Sequence, residues 1–253
     1  MTKPLISAPG IPPDEPVIVK GTVRYYPELV QGSEEWHRAR CGLLTASEFD
    51  LILTPTLKIA ANAKERAHLW EMAAQRISGY VEPQYVSDAM LRGHEDEIEA
   101  SALYAKHIAP VTECGFVTND KWGFTLGCSP DRLVGDDGMI EAKSRCQKFQ
   151  IQTICENVWN DKSATIPADF VLQIQGEMLV CERQWCDFIS YSGGLPMAVI
   201  RVHPIAAVQD AIIEAASKFE ARIHEVIADY RAALESDARL FPTERKIEQE
   251  ITL

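Results

Sequence analysis

The chain has 253 residues, 46% hydrophobic and 25% charged, the balance of an ordinary globular protein long enough to bury a full core. Its 25 Lys and Arg against 37 Asp and Glu leave a formal net charge of -12, which tells against broad non-specific adhesion to nucleic acid but leaves room for a local basic groove. No apolar run approaches the ~20 residues of a membrane span, and Thr2-Lys3-Pro4-Leu5 does not begin a charged-then-apolar leader, so a soluble, cytoplasmic protein without membrane contact is expected.

In chain order, residues 1–20 carry Pro4, Pro9, Pro12, Pro13 and Pro16 and are expected as an extended arm ahead of one domain over 21–253. Ser33 is placed to N-cap a short helix through Arg40, and residues 46–53 form another. Residues 63–77 set Leu69, Met72, Ala73 and Ile77 at helical spacing, and 88–107 form a long helix. Residues 116–119 and 123–126 read as strands. Residues 149–158 and 169–181 are expected as helices, 185–191 and 197–202 as strands, and about 206–236 as a closing helix before a charged tail. No repeat or low-complexity segment interrupts this order. It predicts an α/β (α+β) fold, a central mixed sheet flanked by helices, with the helix from Asp169 packed across the strands of residues 127–143.

Those strands carry the most chemistry. Gly127-Cys128-Ser129-Pro130-Asp131-Arg132-Leu133-Val134 ends in a β-prone run, Gly135-Asp136-Asp137-Gly138 is a turn signal, and Met139-Ile140-Glu141-Ala142-Lys143 is the return strand. Side chains alternate along a strand, so Glu141 and Lys143 share one face and Ile140 and Ala142 the other. The hairpin brings Asp131 toward Glu141. Two carboxylates beside an ammonium suit a hard cation such as Mg²⁺ or Mn²⁺; equally, a turn aspartate and a surface Glu-x-Lys ion pair account for the same residues. Glu97 is the one acid of residues 95–99 placed on the core side of a Leu91–Ile98–Ala102 stripe, either as an edge acid or as a third inward donor.

Seven scattered cysteines, with no Cys-x-x-Cys pair, suit reduced thiols, not a zinc ribbon. His37, His94, His107, His203 and His224 lack ligand spacing, and Ser129 has no evident His/Asp partners for nucleophilic catalysis.

Several stretches, in order, extend the hairpin: Gln31 through Arg40 with its Trp36, Leu44-Thr45-Ala46-Ser47, Gly93-x-x-x-Glu97, Ser129-Pro130-Asp131, Glu141-Ala142-Lys143, and Gln173-Ile174-Gln175 leading to Trp185. Over about residues 30–200 the set resembles the PD-(D/E)XK nucleases, in particular the lambda-exonuclease and YqaJ-type viral recombinase (alkaline exonuclease) branch. The resemblance implies a restriction-endonuclease-like core and a hydrolase that is a Mg²⁺-dependent 5′-to-3′ exonuclease. It would digest one strand of double-stranded DNA from an end and leave a 3′ single strand for an annealing partner in phage-type recombination. It further implies two Mg²⁺ or Mn²⁺ ions held by Asp131, Glu141, Glu97 and the Ala142 carbonyl, with Lys143 on the attacking water. Arg40, Ser47, Ser129 and Gln173 would gather round the substrate's 5′-phosphate, with Thr45, Gln175 and Trp36 nearby, in a ring-shaped homotrimer. Asp120 is one residue out of step with a further acid of the family and reads as well as turn chemistry. The close-set cysteines of the superfamily's iron–sulfur members are missing, so no such cluster is expected. The rival readings are a RecB-like or restriction-type endonuclease on the same core, and a catalytically silent DNA-binding module, against which the intact Asp131, Glu141 and Lys143 set speaks.

Overall fold

The computed structural model describes residues 17–83, 87–159 and 165–245. Strands β1 (Ile18–Lys20), β2 (Val23–Tyr26), β3 (Leu44–Thr45), β4 (Phe116–Asn119) and β5 (Leu126–Cys128) form one sheet in the order β1-β2-β4-β5-β3. Strands β6 (Arg132–Val134), β7 (Gly138–Ser144), β8 (Trp185–Tyr191) and β9 (Ala198–Val202) form a second, ordered β6-β7-β8-β9. Both are mixed: β3 runs parallel to β5 and β7 parallel to β8, and the other pairs are antiparallel. The expected mixed-sheet architecture is therefore present, with its strands hydrogen-bonded as two sheets.

The helices are α1 (Glu34–Arg40), α2 (Phe49–Ile52), α3 (Ala63–Ser78), α4 (Asp88–His107), α5 (Gln147–Gln152), α6 (Val171–Cys181) and α7 (Ala206–Leu234). Each expected helix is found, some with tighter or wider turns at an end. Ala46–Glu48 and Ala168–Phe170 are 3₁₀ turns leading into α2 and α6, and Thr153–Trp159 continues α5 as a π-helix. Ser33 caps α1 by accepting the Trp36 N–H at 3.2 Å, as its position predicts.

Three expectations need correcting. Residues 1–16 lie outside the described residues, but Ile18–Lys20, placed in the arm, pair with β2 as an edge strand. The strand expected over 123–126 is shifted to Leu126–Cys128, because Gly123 sits at φ 81 in a turn with its N–H on the Asp120 carbonyl. On α4, Leu91 and Ile98 face solvent, and the buried positions are Ala100, Ser101 and Tyr104. That helix meets β7 and β8 partly through polar contacts, Asp96 with Ser144, Glu99 with Tyr191 and Tyr104 with Asp187, so an apolar stripe was a poor guide to its inner face.

The alternation along β7 divides the core. Ile140 and Ala142 join Ile189, Tyr191, Ala100 and Tyr104 on the α4 side. Met139 joins Phe188, Ile174 and Met178 on the α6 side, and Glu141 and Lys143 share that face. Helix α6 touches β4, β5 and β8 and so spans both sheets. Gly176 allows this approach: a Cβ there would lie 2.2 Å from the Phe49 ring. The close packing sets α6 against the 3₁₀ turn that carries Ser47. A bidentate pair from Arg76 to Glu220, both bonds 2.7 Å, ties α3 to α7 behind it.

Candidate active site

A cavity of about 190 Å³ opens between α1, the Ala46–Glu48 turn, the β5–β6 link, β7 and α6. Its lining includes Arg40, Ser47, Ser129, Asp131, Glu141, Gln173 and Glu177. The chain thus brings Asp131 and Glu141 together with the four residues expected around a phosphate in one cavity.

The hairpin supplies the acids. Arg132 pairs with Ile140, so the preceding Asp131 lies beside the next residue of β7, Glu141. Asp131 Oδ2 accepts the Ala142 N–H at 2.6 Å, which fixes its carboxylate against the strand. Asp131, Glu141 and Glu177 are all buried. Burial raises the Asp131 carboxyl well above the usual range, and repulsion from Glu141 and Glu97 adds to the shift. Glu177 is raised in the same sense by burial and then by Glu141. For Lys143, burial works against the ammonium, but Glu141 and Glu177 outweigh it and hold it above its ordinary value.

Lys143 Nζ donates to Glu141 Oε1 at 2.7 Å and to Gln173 Oε1 at 2.9 Å. An ammonium has three N–H groups, so one is left for a ligand or water. Gln173 Nε2 donates to Glu141 Oε1 at 2.7 Å and to Glu177 Oε1 at 2.8 Å. Gln173, expected at the phosphate, therefore has both amide hydrogens engaged within the acid–lysine network.

Glu97 reaches the same region from α4. Burial raises its carboxyl, Arg132 opposes that, and the charge of Glu141 adds to it. Its Oε1 accepts from Arg132 Nη1 at 3.3 Å. Asp120 is elsewhere, in an ion pair with Arg24 at 2.7 Å, which favours turn and surface chemistry over a site role.

Among the described residues no three His, Cys, Asp or Glu side chains stand close enough together to hold a metal ion as they are placed. Their partners are the Ala142 N–H for Asp131, Arg132 for Glu97, and Lys143 with Gln173 for one oxygen of Glu141. The donor chemistry nevertheless fits a hard cation. Glu141 Oε2 is buried without a hydrogen-bond partner; Glu177 Oε2 is too, on a carboxyl that burial pushes toward its protonated form. A buried carboxylate oxygen left in this state is costly, and a cation bound to Glu141 would relieve it. Asp131, Glu141 and Glu97 are the expected residues that could hold it, with the Ala142 carbonyl adjacent on β7.

The second half of the cavity is built on Arg40. Its guanidinium lies over the Trp36 ring, 4.4 Å from the centroid, and Nη2 donates to Thr45 Oγ1 at 2.9 Å with Ser47 Oγ at 3.5 Å. Thr45 Oγ1 in turn donates to Glu48 Oε2 at 2.7 Å. Burial lowers the Arg40 guanidinium from its usual range, with Glu48 opposing. Among the described residues Arg40 makes no salt bridge. A part-buried cation without a carboxylate partner has the chemistry to receive an anion. Ser129 Oγ accepts from Trp36 Nε1 at 2.9 Å, which leaves its own O–H free to donate. Trp36 is thus the platform of this pocket, and Thr45 anchors the guanidinium through Nη2. Gln175 is not part of it: its side chain bonds the His203 carbonyl and the Ile205 N–H at the start of α7.

Two residues escaped the sequence reading. Glu177 has a signal in retrospect, as the one acid in the otherwise uncharged Val171–Cys181 helix. Arg132, next to Asp131, has none beyond adjacency.

Comparison with known proteins agrees with this geometry. The YqaJ-like viral recombinase domain matches residues 35–184. The crystal structure of an alkaline exonuclease (LHK-Exo) from Laribacter hongkongensis is similar at 30% identity and a TM-score of 0.63, covering 81% of this chain and 100% of that one. The same protein in complex with dAMP gives 30% identity and a TM-score of 0.64 over the same shares. A phage related exonuclease from Haemophilus somnus 129PT shares the fold at 14% identity and a TM-score of 0.53, over 74% of this chain and 96% of its own. No curated protein matches the chain. The matched span and the identity to a fully covered relative establish that the chain belongs to the YqaJ-like viral recombinase family, within the PD-(D/E)XK superfamily.

Proposed function

We propose that the protein is a Mg²⁺-dependent 5′-to-3′ exonuclease that hydrolyses one strand of double-stranded DNA from an end. The observation that carries this reading is the shared cavity: a desolvated Arg40 without an ion-pair partner opens onto the same space as Asp131 and Glu141. A fixed guanidinium beside the hydrolytic centre suits an end-recognising enzyme, because a terminal phosphate carries more charge than an internal diester and gains more from it. Family membership supports the nuclease chemistry.

Divalent cations bound by Asp131, Glu141, Glu97 and the Ala142 carbonyl would supply an activated water and charge stabilisation at the leaving 3′ oxygen. The chain's own residues do the rest. Arg40, Ser47 and Ser129 bind the terminal 5′-phosphate and set the register of the strand, and Gln173 closes that pocket toward Lys143. The unengaged N–H of Lys143 orients the attacking water and meets charge building on the scissile phosphate. Packing of Phe170 against Phe188, and Lys143 lying 5.6 Å from the Phe170 centroid, limit water around the ammonium.

The proposal includes a homotrimer around the duplex, a single-strand annealing partner for the 3′ tail, and one catalytic domain that takes in strand β1 as well as the expected residues 21–253. The test is digestion of linear duplexes labelled at either end, with and without a 5′-phosphate, in Mg²⁺ and in chelator. Mononucleotide release from phosphorylated 5′ ends, lost in chelator, is the expected result. Internal cuts on closed circular DNA would replace it with an endonuclease.

A further inference from the structure

We propose that Glu177 is a positioning residue that holds Lys143 through Gln173; the inference rests on the nuclease reading above. A side-chain amide is asymmetric, accepting at its oxygen and donating at its nitrogen. Gln173 presents its oxygen to Lys143 Nζ at 2.9 Å and its NH₂ to Glu141 Oε1 at 2.7 Å and Glu177 Oε1 at 2.8 Å. The opposite orientation would set NH₂ against an ammonium and oxygen against two carboxyl groups, three mismatched partners in a buried site. Two acceptors on the NH₂ side therefore decide which way the amide faces, and Glu177 is one of them.

Helix periodicity explains why this residue can do so. Glu177 is one turn beyond Gln173 on α6, so the two side chains lie one above the other on the face turned to β7. The helix is held at that depth by Gly176, whose missing side chain admits Phe49. Glu177 is 2% exposed and makes no hydrogen bond to Lys143, Arg40, Ser47 or Ser129, so it reaches the chemistry by way of Gln173.

The consequence concerns Lys143. Its ammonium has two protein acceptors, Glu141 and Gln173. Glu141 is also a proposed cation ligand, so its oxygens are shared during turnover. The Gln173 oxygen serves Lys143 alone, and its orientation then depends on Glu177. The same amide borders the 5′-phosphate pocket, so seating of the strand end and alignment of the lysine are joined at one side chain.

The test is a double-mutant cycle on the full-length protein, with kcat and KM on 5′-phosphorylated duplex, Mn²⁺ binding in the absence of DNA, and thermal unfolding of each variant. Glu177→Leu keeps the volume and removes the acceptor; kcat should fall 10- to 100-fold, the usual range for a lost supporting hydrogen bond, with about unchanged KM and Mn²⁺ affinity. Glu177→Gln keeps a carbonyl acceptor and should recover most of the loss. In a Gln173→Ala background, Glu177→Leu should add nothing. A wild-type rate for Glu177→Leu, additive losses in the double variant, or Glu177→Gln as slow as Glu177→Leu would each overturn the proposal. These failures are distinct from failure of the nuclease reading, in which the unmodified protein does not cut duplex ends in Mg²⁺ or Asp131→Asn cuts as well as it does.

Discussion

Arg40→Ala should remove the preference for 5′-phosphorylated ends while leaving slow cleavage intact. The guanidinium has five N–H donors, and the structure commits only Nη2, to Thr45 and Ser47. Nε and Nη1 remain for a ligand, in a plane set by stacking on Trp36 at 4.4 Å. A terminal phosphate monoester carries about one-half to one more negative charge than an internal diester, so it gains most from that fork. Each charge-assisted hydrogen bond contributes about 1.5–3 kcal/mol, and losing one lowers the rate ratio between phosphorylated and dephosphorylated ends by about 10- to 150-fold. The fold should survive, because no carboxylate is left unpaired by the change. Arg40→Lys should fall between the two, since an ammonium keeps the charge but not the planar fork. The assay is initial rate on matched duplexes for the three proteins, with circular dichroism to confirm folding. Equal rates on both ends for the unmodified protein, or an unchanged ratio for Arg40→Ala, would refute the phosphate-pocket reasoning.

Three further outcomes follow from the site. Asp131→Asn, Glu141→Gln and Lys143→Ala should each lower turnover by about 10³-fold with unchanged circular dichroism, and near-normal turnover by folded Lys143→Ala would remove the assigned mechanism. The pH dependence of stability has a definite sign. Burial and mutual repulsion raise Asp131, Glu97 and Glu177, so above the normal carboxylate range the folded, metal-free protein binds more protons than the unfolded chain. The stabilisation is complete below about pH 4, the unfolded carboxylate value, and declines as pH rises toward the raised values. In chelator the melting temperature should therefore fall from about pH 5 to about pH 8, and excess Mg²⁺ should raise it more at the higher pH; an equal Mg²⁺ effect at both would contradict the buried acids as its site. Light scattering should report a homotrimer, and a monomer that still digests processively would exclude the ring.

The catalytic hairpin was legible in the sequence because its information is local. Turn residues at 135–138 and strand alternation place Asp131 by Glu141 and put Lys143 on the same face, and β6 and β7 pair in that way. Ser33 as a cap and the long helices over 63–78 and 88–107 rest on equally local rules. Where flat local signals compete, the reading slips: β3 is two residues long and exists because β5 is there to pair with it, and the strand before Ser129 moves by three residues around Gly123. Residues far apart in the chain met only through tertiary packing. Nothing near Gln173 in sequence says that its amide will face Lys143 across 30 residues, or that Glu177 will orient it. Those contacts follow from α6 lying against both sheets at a depth that Gly176 permits. The inner face of α4 was likewise decided by its partners, since Ser144, Tyr191 and Asp187 offer polar groups that bind Asp96, Glu99 and Tyr104 and leave Leu91 and Ile98 to solvent. Hydrophobic periodicity identifies a helix; what lies opposite determines which side of it is buried.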